Sequence, residues 1–270
     1  MEQAPGGVAI AEIERFPSDR GRGSGSPAGR ASIPRSSPMP LLDVRIRATR
    51  AGVVRLLGLL LAVELAFFFF YGAIRVTDRA IDWGALYALF DLDAEQSVPA
   101  WFSSLQLFAA GAVFLVGARE GRTSRPALSR LLFLLGLGFL FLSLDEAASL
   151  HERFDAAGRG AWLAAYALIA AAALPVFLYF TLPGLRELLY RHRRESLWLA
   201  AGVVTMFAGG VAIELVGHLF LHGAATPAFR AIEVGVEELF EMAGCTLVLC
   251  GALLLAGPAA DADGDAAGDS

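Results

Sequence analysis

Residues 131–152 read LLFLLGLGFLFLSLDEAASLHE. An unbroken apolar stretch from Leu131 to Leu142 runs into Ser143-Leu144-Asp145-Glu146 and then His151-Glu152. Apolar runs of this kind read as membrane-spanning helix. Ionisable side chains at their ends are expensive in a bilayer and point to a functional site. The arrangement recurs: Glu214, His218 and His222 close a second apolar run, and Glu233, Glu237, Glu238 and Glu241 open a third.

The whole chain supports that reading. Of its 270 residues, 56% are hydrophobic and 18% charged, which is too apolar for an ordinary soluble domain. All 22 basic side chains are arginine. With so much alanine and glycine, this points to a GC-rich, bacterial genome. The net charge of −5 divides into a basic amino-terminal arm and an acidic carboxy-terminal tail. Neither resembles a nucleic-acid surface. Cys245 and Cys250 share the last apolar run, which argues against a disulfide framework or a cysteine-based zinc site.

Residues 1–50 are rich in Gly, Ser, Pro and Arg and read as a disordered basic arm, with Met39 a second candidate start. No signal peptide is visible ahead of Gly52. Residues 258–270 read as a disordered acidic tail. Between them, residues 51–257 read as an all-α, polytopic membrane bundle of about six transmembrane helices, at 52–75, 98–118, 129–154, 161–182, 196–222 and 229–256. Arginines cluster before the first run (Arg45, Arg47, Arg50, Arg55), after the second (Arg119, Arg122, Arg125, Arg130) and after the fourth (Arg186, Arg191, Arg193, Arg194). The segment after the first run instead holds Asp78, Asp82, Asp91, Asp93 and Glu95. This bias predicts both termini in the cytoplasm of a bacterial cytoplasmic membrane.

That orientation brings the acids and histidines to one outer zone. At the helical rise, Asp145 lies about 20 Å from the cytoplasmic end of its run, and Glu237 and Glu241 about 10–16 Å below the outer surface. Asp145, Ser149 and Glu152 share a helix face, as do Glu214, His218 and His222, and as do Glu233, Glu237 and Glu241. Glu64, halfway along the first run, and Gln106, in the second, can reach the same interior.

Carboxylates and imidazoles together suit a divalent metal, zinc first and iron or manganese next. The candidate ligands are His151, Glu152, Glu214, His218, His222, Glu237 and Glu241. Asp145, Glu146 and Glu238 are the candidate general acids and bases. Individually these residues also have structural readings. Glu233 and Glu237 suit a helix start, where Arg230 can pair with Glu233. His151 and Asp155 suit an interfacial pair, His222 a wet helix end, and His192 a basic cytoplasmic loop. Ser143 and Ser149 are weak nucleophile candidates, because serine in membrane helices ordinarily bonds to the preceding turn.

The strings Ser143-Leu144-Asp145-Glu146, His151-Glu152, Val236-Glu237-Glu238 and Glu241-Met242 resemble bacterial multipass proteins of unassigned activity, over the last four runs. A fainter similarity is to metal-dependent membrane hydrolases related to alkaline ceramidases and progestin/adiponectin-type receptors. That resemblance implies zinc on His151, His218 and His222, with Asp145 nearby. The chain departs from it in having six runs rather than seven, its histidine pair in the penultimate run, and many additional glutamates.

Three functions follow as expectations. One is a metal-dependent hydrolase acting on a lipid-like substrate. Another is a proton- or cation-coupled transporter, in which the same acids bind the coupling ion. The third is a sensor or scaffold. Membrane lipids are the expected partners, and the arginine-rich arm suits anionic lipid.

Overall fold

The computed structural model describes residues 46, 48–77, 84–94, 96–150, 153, 161–213 and 226–257. The described residues are helical, with no strand among them. The elements are α1 (Arg50–Thr77), α2 (Gly84–Phe90), α3 (Val98–Glu120), α4 (Pro126–Ala148), α5 (Ala161–Arg191), α6 (Arg193–Phe207) and α7 (Pro227–Ala256). A π-helical segment, Ala208–Ile213, continues α6. Four helices, α1, α3, α4 and α7, are long and apolar enough to cross a membrane.

Local sequence sets several of the ends. The Ser97 hydroxyl accepts from the Ala100 amide, and the Thr226 hydroxyl from the Phe229 amide. A proline follows within the first two helical positions of both α3 and α7. A side-chain acceptor on an orphan amide, plus a proline whose missing N–H costs nothing there, starts a helix cleanly.

Three expectations from sequence need correction. The run expected to extend to residue 154 ends as α4 at Ala148, because Ser149 adopts a left-handed conformation at φ 51° and ψ 45°. A side-chain-bearing residue in that region stops right-handed propagation. The helical stripe that begins at Asp145 is therefore interrupted at Ser149, and Glu152 lies outside the described residues. Next, the arginine loop expected after residue 182 is largely helix. Here α5 continues through Pro183 to Arg191, and α6 resumes at Arg193, so His192 alone forms the break. Finally, the acidic segment after the first run contains the short helix α2.

The bundle is organised on α7, which packs against α1, α3, α6 and the π-helical segment; α3 also packs on α4, and α4 on α5. In lipid there is little hydrophobic drive between helices, so close backbone approach and polar bonds matter more. Both are present. Gly202 of α6 faces Gly244 of α7: a Cβ on Gly202 would lie 2.7 Å from the Val248 amide nitrogen, and one on Gly244 2.7 Å from the Gly202 carbonyl oxygen. Gly111 and Gly136 make the equivalent contact between α3 and α4. By contrast, α5 turns large apolar side chains outward, with Leu168 74% and Tyr179 78% exposed.

Backbone atoms, which cannot swing aside, limit the Gly202–Gly244 contact. Gly244→Val is expected to destabilise the fold by about 1–3 kcal/mol through overpacking. Thermal unfolding of detergent-solubilised wild type and variant checks this; Gly138→Ala, at a glycine with nothing within 4 Å of its Cβ position, should shift the midpoint far less.

Candidate functional site

Glu64 is the centre of the interior polar network. It lies fourteen residues into α1, about 21 Å along the axis from Arg50, and is fully buried. Its Oε1 accepts from Gln106 Nε2 of α3 at 2.8 Å and from Thr246 Oγ1 of α7 at 2.5 Å. Gln106 Nε2 also donates to Thr246 Oγ1 at 2.6 Å. One carboxylate oxygen thus joins three helices. The other, Oε2, has no hydrogen-bond partner, and neither does Gln106 Oε1. Both orphaned atoms are acceptors. What would satisfy them is a donor: a proton, or a small cation.

Toward the acidic end the polar interior continues. The Ser104 hydroxyl donates to the Ser143 carbonyl at 3.0 Å, and the Ser143 hydroxyl to the Ser104 carbonyl at 2.9 Å. Ser143 is therefore committed to holding α3 against α4, which supports its structural reading over a nucleophilic one. Cys245 of α7 is buried beside Ser103, within the electrostatic field of Glu146, Glu241 and Glu64. Asp145 is buried, and Glu146, Glu237, Glu238 and Glu241 are half-buried. Glu241 packs on the π-helical segment: its carboxylate occupies the space that a Cβ on Gly210 would need, and its Cγ lies 3.1 Å from the Cβ position of Gly209. The two glycines make room for an acid.

These positions bring Glu64, Gln106, Glu146 and Glu241 into one bundle interior. Asp145 lies on α4 beside Glu146, and Glu237 and Glu238 lie one turn above Glu241 on α7. The remaining candidates, His151, Glu152, Glu214, His218 and His222, lie outside the described residues. Among the described residues, no group of three or more His, Cys, Asp and Glu side chains is arranged to hold a metal ion.

At the acidic end, the Arg75 guanidinium stacks 5.0 Å from the ring centre of Tyr71 and 5.1 Å from that of Tyr87, and meets Asp91 at 3.4 Å. This tethers α2 and the segment after it to the end of α1. Burial pushes the Tyr87 hydroxyl up from its ordinary range, and Asp91 adds to the shift. Burial likewise raises the Asp93 carboxyl, helped by neighbouring Asp91.

Sequence reasoning missed two polar residues. Thr246 sits in a stretch that reads as plainly apolar, yet it lies fully buried against Glu64. The only signal was a hydroxyl in the helix opposite a buried acid. His192 reads as a loop residue. In the structure its Nε2 accepts from Arg125 Nη1 at 2.9 Å, because α5 and α6 converge on it.

Described residues that are all helical, with four helices long and apolar enough to cross a membrane, have the make-up of a membrane protein. A family model described as Domain of unknown function (DUF8692) matches residues 53–256, from the first turn of α1 to the end of α7, and the chain belongs to that family. Comparison with curated proteins and with solved structures gives no match.

The histidine at the α5–α6 break makes stability depend on pH. Burial lowers the His192 pKa below its ordinary 6.5; Arg125 and Arg191 push the same way, while Glu195 and Glu187 oppose them. Neutral His192 therefore stabilises the fold above about pH 6.5, and that contribution fades as pH falls below it, since the unfolded chain then takes up the proton first. The unfolding midpoint of wild type should drop more between about pH 7.5 and about pH 5.5, on either side of the ordinary histidine range, than that of His192→Gln. Parallel curves would show that His192 contributes nothing.

Proposed function

We propose that this is a multipass protein of the bacterial cytoplasmic membrane, crossing six times with both termini in the cytoplasm. We further propose that it binds a proton or small cation at Glu64 as the coupling step of transport. The observation that carries this reading is the pair of orphaned acceptors, Glu64 Oε2 and Gln106 Oε1, buried together at mid-length of α1. A buried carboxylate with an unsatisfied oxygen is costly in a low-dielectric interior. Loading with a proton or cation removes that cost, and release restores it. A carrier needs such a difference between two states. The outer acids Asp145, Glu146, Glu237, Glu238 and Glu241 then form the approach from the outside.

The test is charge displacement. Proteoliposomes on a solid-supported electrode receive a pH jump and, separately, a sodium jump. Wild type is expected to give a transient current in one of the two, which names the coupling ion. Glu64→Gln, which preserves shape and hydrogen-bonding capacity, is expected to abolish it. An unchanged transient in Glu64→Gln would overturn the reading.

A second reading, a metal-dependent hydrolase acting on a lipid-like substrate, draws support from Glu241. That carboxylate packs on the π-helical segment whose sequence continues into Glu214, His218 and His222. A zinc, iron or manganese ion there would activate water, with Asp145 or Glu238 moving protons. Metal content by mass spectrometry of protein purified without added metal decides it. Stoichiometric metal in wild type, lost when His151→Ala, His218→Ala and Glu238→Gln are combined, would favour the hydrolase. Protein free of metal in both would eliminate it.

A further inference from the structure

At the arginine-rich end of the bundle lies a cavity of about 790 Å³. It is formed where α1 and α4 begin and α3, α5 and α7 end. Its inner wall is apolar, built from residues such as Phe114, Leu128, Leu132 and Leu255. Its mouth carries Arg50, Arg125 and Arg191, with Glu120 and Glu195 also at the rim. Ser124 and Thr49 add hydroxyl groups.

Two further features favour an anion at the mouth. The α4 start has no side-chain cap: Arg125 occupies that position without bonding an amide. Arg125, Leu128 and Ser129 of this uncapped first turn line the cavity, so the positive end of the helix lies at its wall. His192, also in the lining, is used as an acceptor by Arg125, so it holds that guanidinium at the mouth without adding charge. An arginine fork is suited to two oxygens of one phosphate. An apolar wall suits the hydrocarbon beside that phosphate.

We infer that this cavity binds the phosphate-bearing head of an anionic phospholipid, with the phosphate at Arg125 and Arg191 and the glycerol end of the chains against Phe114 and Leu132. The volume lies within the range of small-molecule sites and holds a headgroup with the first part of its chains. The position suits the ligand, since the cavity opens at the ends of the spanning helices, where headgroups lie. The inference is independent of any role for Glu64.

Native mass spectrometry of the full chain in mild detergent tests it, with phosphatidylglycerol and phosphatidylcholine added as competing probes. Wild type is expected to retain phosphatidylglycerol preferentially. Arg125→Gln with Arg191→Gln should weaken that preference at least about tenfold, at the scale of two lost arginine contacts. Arg193→Gln with Arg194→Gln removes the same charge from exposed positions outside the cavity and should leave it unchanged. Gly117→Leu fills the cavity without altering charge. A Cβ there meets only Leu132 Cδ1 at 3.4 Å, an ordinary contact, so the fold should tolerate it while lipid retention falls. Unfolding midpoints of all variants separate lost binding from lost folding.

An equal loss from the exposed pair would overturn the inference, as would undiminished preference in Gly117→Leu or in the double Arg125/Arg191 variant. Displacement of the lipid by millimolar inorganic phosphate would assign the site to free phosphate instead. No preference in wild type would likewise overturn it.

Discussion

Glu64 can sit inside the bundle because Gln106 and Thr246 reach it from two other helices, and this constraint fixes how those helices are rotated. Once α1, α3 and α7 meet at one carboxylate, the rest of their buried faces follows. On α1 the buried residues Val53, Glu64, Tyr71 and Ile74 fall along a single stripe. On α7, Met242, Cys245, Thr246, Val248 and Cys250 are buried around the same contact, in keeping with its central place. Apolar side chains alone would specify this poorly in lipid, where one greasy face is as good as another. Polar bonds and small-residue contacts supply the specificity. Ser104 with Ser143 and Gly111 with Gly136 hold α4 to α3, and Gly202 with Gly244 holds α6 to α7.

The two ends of the bundle differ in charge and in construction. At one end, Arg75 is enclosed by tyrosines and aspartates and serves to fasten α2. At the other, arginines line a cavity whose wall is hydrocarbon. Cations therefore close one end and leave the other open to ligands, although arginine is the basic residue at both. The difference lies in what surrounds each guanidinium, which a charge count along the chain does not reveal.

Four of the six expected runs, those of α1, α3, α4 and α7, are legible as helices long and apolar enough to cross a bilayer, because a bilayer imposes a length. Their ends were less so. Ser149 ends α4 through a backbone conformation that serine seldom adopts, and nothing in SLDEAASL announces it. The basic stretch from Arg186 to Arg194 reads as a loop by charge, yet it stays helical around one break at His192. In the interior, Glu64 and Gln106 stood out as polar residues in apolar sequence. Thr246 did not, since threonine is unremarkable in such helices and its importance comes from a partner 182 positions away. Among the clustered acids, the turn spacing of Glu237 and Glu241 on α7 was readable, but the seat of Glu241 against Gly209 and Gly210 was not. It depends on a π-helical segment that carries no sequence mark beyond the glycine pair.

That segment has a consequence for how members of the family are compared. A π-helical turn holds more residues than an α-helical one, so it acts as a residue inserted into the helix. Any heptad or four-residue stripe counted through Ala208–Ile213 slips in phase, by roughly the 100° that one residue subtends in an α-helix. Relatives that retain the segment should align without a gap. A relative that has reverted to regular helix should be one residue shorter between Phe207 and Glu214, and should lack the need for two small residues opposite its acid.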